Sequence, residues 1–188
     1  MSRLRWGYLA SSWAALFALL HIFWALGAPW LLASSAGTAL AADRPTWFVI
    51  AGLWGVAALL VVGAVMGVAL AQRRTGGRAA RFVVVLSCLG GACLLLRGVV
   101  VQVVLLTDAG GVASNVGEEQ MRVSLLLWNP WFVLGGLLFA ATGIQGWRDL
   151  RGGAPRDEAT RGSRADQLPA GNHRRGTLGG TGSWGPRR

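Results

Sequence analysis

From Phe82 to Leu106 the chain reads FVVVLSCLGGACLLLRGVVVQVVLL, 25 residues with one formal charge, Arg97. A strand or a buried core helix has no use for so long an apolar run. A helix crossing the roughly 30 Å hydrocarbon layer of a bilayer needs about 20 such residues. The arginine tightens the constraint. Near the bilayer centre a guanidinium costs between roughly 2.5 and more than 10 kcal/mol, so it faces protein, water or a route to the headgroups. The rest of the fold must therefore shelter Arg97.

Three further runs, within 6–27, 47–71 and 123–147, have the same character, and 53% of the 188 residues are hydrophobic. A soluble domain rarely reads this way. The first run exceeds the apolar core of a signal peptide, roughly 7–15 residues, and the cleavage-like Ala39-Leu40-Ala41 stands well beyond its end. It is therefore expected to stay as a span. Pro29 closes the first helix and Pro45 precedes the second. The fold expected is all-α, an antiparallel four-helix transmembrane bundle over 1–147. Residues 30–45 read as a loop of small residues, 72–81 as a tight basic turn and 107–122 as a polar loop. From Arg148 to Arg188 apolar periodicity stops and Gly, Arg, Pro, Ser and Thr dominate, the composition of a disordered tail.

Charge orients the bundle. The N-terminus carries two arginines, the 72–81 turn four and the tail nine, whereas the other side has Arg44 and Arg122 beside four acids. The positive-inside rule then puts both termini in the cytoplasm. Trp6 and Trp147 would mark the inner interface, and Trp30, Trp47, Trp128 and Trp131 the outer one. All 18 basic residues are arginine, which with the Ala, Gly and Val content points to a GC-rich bacterial genome. The net charge of +10 does not imply nucleic acid, because no aromatic interleaving or RNA motif accompanies it. The partners expected are the lipid bilayer, anionic lipid at the tail, and optionally a second copy through Gly63-x-x-x-Gly67 on the second span.

Depth and face single out a group of residues. Arg97 is 15 residues past Phe82 and His21 15 past Trp6, about 22 Å above the inner boundary at about 1.5 Å per residue. Asn129 and Trp54 enter from the outside to about 10 Å depth by the same rise. His21 shares a stripe with Ala14, Ala18 and Ala25, Arg97 with Gly90 and Cys93, and Asn129 with Gly136, Ala140 and Gly143. Small residues mark the faces on which membrane helices approach. The candidate ligand-binding residues are thus Arg97, His21, Asn129, Trp24 and Trp54. No span contains an acid, so the partners open to Arg97 are His21, Asn129, Gln102, backbone carbonyls, or Glu118 and Glu119 from the loop. The same residues would also serve as interhelical glue, with Arg97 snorkelling to outer headgroups. The two cysteines, Cys88 and Cys93, sit on different helix faces and read as small buried hydrophobes. No cofactor or metal motif is present.

The segment His21-Ile22-Phe23-Trp24-Ala25-Leu26-Gly27 resembles the His-x-aromatic-Trp-Ala-Leu-Gly signature of a family of uncharacterised four-helix membrane proteins, mostly actinobacterial. Leu96-Arg97-Gly98 and the stretch from Trp128 to Gly136 resemble its third and fourth spans. The resemblance covers roughly residues 6–147 and implies a four-span fold with no established activity. Family members often carry an acid where Asn129 stands. Three roles follow for consideration: a non-enzymatic membrane protein binding a lipid, partner or small anionic ligand through its outer half; a small oligomeric transporter or channel-like unit; and a membrane enzyme using His21. The first predicts a filled bundle, the second a polar stripe through the inner half, the third an acid or thiol beside His21.

Overall fold

The computed structural model describes residues 4–72, 76–111 and 117–152. Of the tail expected over 148–188, residues 153–188 lie outside the described residues. Helix α1 spans Leu4–Ala25, and two short helices follow, α2 at Leu32–Ala36 and α3 at Thr38–Asp43. Helices α4 (Phe48–Ala71), α5 (Gly77–Thr107) and α6 (Glu118–Gly152) complete the described chain. Four of them, α1, α4, α5 and α6, are long and apolar enough to cross a membrane. The all-α four-helix transmembrane bundle read from the sequence is the fold found.

The helices overrun the apolar runs that located them. Helix α5 begins at Gly77 rather than Phe82 and holds 31 residues, about 46 Å at 1.5 Å each against a slab of roughly 30 Å. Hydropathy marks only the part in hydrocarbon. Once nucleated, the backbone keeps its hydrogen bonds through the headgroup layer until something stops it. Here the stop is glycine, with Gly76 extended and Gly77 at φ +58°. Helix α6 likewise starts at Glu118, with two carboxylates facing the positive end of its dipole, and runs on past Trp147 to Gly152. Residues 148–152 therefore belong to the helix and not to the tail.

The stretch expected as a plain outer loop folds into α2 and α3, separated by Gly37 at φ +92°. Helices of five and six residues do not persist on propensity alone. Packing holds α2, whose Leu32 is fully buried. Helix α6 carries a widened, π-type segment at Ser124–Trp128, ending where the Asn129 N–H reaches the Ser124 carbonyl. Pro130 follows directly and has no N–H to give to Leu126. A second π-type segment, Phe48–Gly55, opens α4.

Two close-packed pairs make the bundle. In the first, a Cβ on Gly7 would lie 2.7 Å from the Gly67 carbonyl, and the Ser11 hydroxyl donates to the Ala64 carbonyl at 2.8 Å. Rising numbers on α1 meet falling numbers on α4, so the helices are antiparallel. Gly63 faces Ala14 and Phe139, and Gly67 faces Ser11, so this glycine pair lies on an interface within the chain. In the second pair, Gly91 of α5 meets the backbone of Gly136 and Ala140 of α6, and Gly98 meets Asn129 and Val133. Helix α1 joins the pairs by packing aromatics on α6. Trp13 lies flat over Gly135, where an added Cβ would come 2.3 Å from its ring.

Three sequence expectations about faces change. The packed stripe of α5 is Ala80, Val84, Ser87, Gly91, Gly98 and Leu105; Gly90 has nothing within 4 Å and Cys93 is exposed. Both stripes carry small residues, so composition could not separate them. The packed one repeats at sevens and meets glycines on α6. Cys93 is consequently a thiol exposed on the bundle surface, and Cys88 is half-buried with its Sγ against Gly143. Trp128, expected in the outer belt, is buried against Phe17 and Trp24, and Trp131 stacks on Trp13 at 5.6 Å. Trp30 and Trp47 do remain exposed.

Candidate functional site

The five singled-out residues fall into two clusters and one outlier. The first cluster lies on the seam of α5 and α6. Arg97 donates from Nη1 to Asn129 Oδ1 at 3.1 Å, and Asn129 donates from Nδ2 to Gln102 Oε1 at 3.0 Å. Chemistry fixes these orientations. A guanidinium has only donors, so the Asn129 atom facing it is its oxygen. Its amide nitrogen then faces Gln102, which must accept. The guanidinium also lies over the Phe132 ring, 4.4 Å from its centroid. Asn129 is 1% exposed, while Arg97 is exposed at the bundle surface.

The local sequence explains the geometry. Gly98 lets α6 approach until a Cβ there would meet the Asn129 carbonyl at 3.0 Å. That approach puts the neighbouring Arg97 within reach of α6. Gln102, five residues further along α5, sits about 7 Å higher and meets the carboxamide from above. Phe132 is three residues past Asn129, hence on the same face of α6. The sequence reading named Asn129 and Gln102 as partners and missed Phe132, although that spacing was available.

Energies show what remains unmet. A charge-assisted hydrogen bond contributes about 1.5–3 kcal/mol and a cation–π contact about 0.5–2 kcal/mol. Together they offset the lower estimates for an arginine in hydrocarbon and fall short of the higher ones. One of the five guanidinium N–H groups is occupied by Asn129; the others have no protein partner among the described residues. The same holds for the Gln102 amide nitrogen. Open donors outnumber open acceptor lone pairs in the cluster, and its net charge is positive.

The second cluster is aromatic and closed. His21, 8% exposed, bonds through Nδ1 to the Phe17 carbonyl at 2.9 Å. Its ring meets Phe17 edge-on at 4.6 Å and Trp24 at 5.0 Å. Trp24 is buried, donates from its indole to the Trp30 carbonyl at 2.7 Å, and lends its own carbonyl to Arg44 Nη2. Trp128 donates to Ser34 Oγ at 3.3 Å, which ties α2 to α6. The Arg44 and Ser34 ties were not legible in the sequence. Among the described residues the hydrogen bond and ring contacts of His21 go to Phe17 and Trp24, and no group of three His, Cys, Asp or Glu side chains gathers to hold a metal.

The two clusters touch only through rings. Phe17 meets both His21 and Phe132, the latter at 5.6 Å, and Phe132 carries Arg97 on its face. The expectation of three helices presenting polar atoms to one guanidinium is thus met by α5 and α6, while α1 turns His21 into the aromatic core. Trp54 joins neither cluster and is 45% exposed. An open groove of about 730 Å³ lies beside the start of α6, lined by Leu31, Glu118, Glu119 and Arg122 among others. The fold and the pairing of Arg97 with Asn129 define a small polytopic helical membrane protein.

Residues 14–139 match the model of the family described as "Protein of unknown function (DUF3995)", and the chain belongs to that family. No curated protein and no solved structure matches it significantly.

Proposed function

We propose that this protein is a non-enzymatic multi-pass membrane protein that binds an anionic, acceptor-rich ligand through Arg97 and Gln102, with Asn129 holding the guanidinium in place, in the outer half of the bilayer. The observation that carries the reading is the arginine itself: fixed by a buried carboxamide and an aromatic face, exposed, and left with unfilled donors. Glue between helices would use those donors on protein atoms. The core between α1 and α6 is filled with rings, which favours binding at the flank over passage along the axis. His21 and Trp24 act in this reading as the packed wall behind Phe132.

The test is a melting series in a neutral detergent with a panel of oxyanion-headed amphiphiles. Binding predicts a rise in Tm for the wild type that Arg97→Gln abolishes. No rise, or an equal rise in the variant, contradicts the reading.

The proposal includes orientation, with both termini cytoplasmic, supported by the arginine asymmetry. Gly76 and Gly117 stand in open space. In a background with Cys88 and Cys93 replaced by serine, Gly117→Cys should react with an impermeant maleimide on intact cells, and Gly76→Cys only after permeabilisation. The reverse pattern inverts the topology.

A further inference from the structure

The stripe that the bundle leaves unused points to the ligand's class. Gly90, Cys93 and Arg97 share one face of α5 by their spacing of three and four. That face is unpacked: Gly90 has nothing within 4 Å, and Cys93 and Arg97 are exposed. Moreover, the outer stretch of α4, Phe48–Gly55, packs on α1, while α5 at this level has α6 as its main neighbour. The flank of α5 is therefore open to the bilayer beside the guanidinium.

Depth and direction add to this. Arg97 stands about 22 Å above the inner boundary of a roughly 30 Å slab, hence about 8 Å below the outer one. Local thinning and snorkelling bring lipid phosphate to arginines at such depth. Cys93 and Gly90 lie about 6 Å and 10 Å deeper along the helix, on the side towards which the tail of an outer-leaflet lipid runs. A charged end above and a shallow apolar strip below make the outline of one lipid. Charge decides which lipid. The cluster carries one positive charge, the four apolar runs contain no acid, and its open valences are mostly donors.

Resting on the binding reading above, we infer that the ligand is an anionic phospholipid of the outer leaflet, its phosphate on Arg97 and Gln102 and one acyl chain along Cys93 and Gly90. Entry is lateral, from the membrane. Asn129 acts as a positioning residue, since its oxygen holds the guanidinium and it uses no donor on the ligand.

The experiment uses the full chain in nanodiscs of phosphatidylcholine with and without phosphatidylglycerol, read by native mass spectrometry for retained lipid and by Tm. The expected result is one phosphatidylglycerol retained per wild-type chain. Arg97→Gln weakens retention at least tenfold. Cys93→Phe, which fills the strip without touching the charge, weakens it several-fold while leaving the Tm in detergent unchanged. Should Arg97→Gln fail to fold, Asn129→Asp supplies an acid next to the guanidinium and should displace the lipid equally. Equal retention of phosphatidylcholine overturns the lipid assignment. So does inorganic phosphate raising the Tm of detergent-solubilised protein as much as phosphatidylglycerol does, and so does a lipid-free dimer that Arg97→Gln dissociates. The first two outcomes leave the Arg97-dependent binding of an oxyanion standing, whereas the dimer replaces it with a contact between copies. A wild type indifferent to every oxyanion amphiphile removes both readings.

Discussion

His21 and Arg97 start from the same place in the sequence, each 15 positions into an apolar run and beside small residues. They end in opposite situations. His21 is closed in by Phe17 and Trp24 and gives its Nδ1 to a carbonyl of its own helix. Arg97 lies on a surface, held at one nitrogen by Asn129 and on one face by Phe132. The difference comes from the neighbouring helix. Helix α6 brings rings to α1 and a carboxamide to α5. An imidazole can be neutral and apolar-faced, so aromatic packing satisfies it. A guanidinium keeps its charge and five donors, and rings satisfy only its face.

That contrast can be broken from either side. The largest effect should come from Gly135→Leu, which forces atoms into the Trp13 ring. Overpacking should cost about 3 kcal/mol or more, seen as loss of a cooperative melt in dodecyl maltoside; an unchanged melt would mean the α1–α6 core is loose. Next comes Asn129→Leu, which leaves Gln102 Oε1 and the guanidinium without their partner and should cost about 1–3 kcal/mol. Asn129→Asp, which puts a carboxylate against the guanidinium, should instead keep the fold at or above wild-type stability. A smaller effect belongs to His21→Phe. The ring contacts survive and one local hydrogen bond goes, so the change should stay within about 1 kcal/mol; a collapse of the fold would show that the imidazole nitrogens matter beyond packing. The smallest is Gly90→Ala, which adds a methyl group to open space and should leave the detergent Tm unchanged.

Much of the bundle was legible because the bilayer imposes simple rules. Run length located α1, α4, α5 and α6, and the small residues on α1 and α6 marked their packed faces correctly, at Ala14, Ala18 and His21 and at Asn129, Gly136 and Gly143. Helix α5 misled because two of its stripes are rich in small residues, and only the partner helix chooses between them. Trp128 and Trp131 misled for a related reason. Tryptophan serves both as an interface anchor and as core filler, and depth within one turn does not separate the two. The Arg97–Asn129–Gln102 chain was half legible: residue types and levels were right, while the exclusion of His21 depended on a ring, Phe132, standing between. The strap of α2 and α3 was hidden because short helices owe their existence to what they pack on, here Trp24 and Trp128.

The central claim is that the guanidinium of Arg97 meets lipid while the imidazole of His21 does not. Solid-state NMR on protein labelled with 15N-arginine and 15N-histidine in bilayers tests it without altering either residue. Magnetisation is passed from acyl-chain protons to the side-chain nitrogens, and the Arg97 signal is identified by its loss in Arg97→Gln. Early build-up at Arg97 with late build-up at His21 is the predicted result. Equal rates, or an imidazole that responds first, would contradict it.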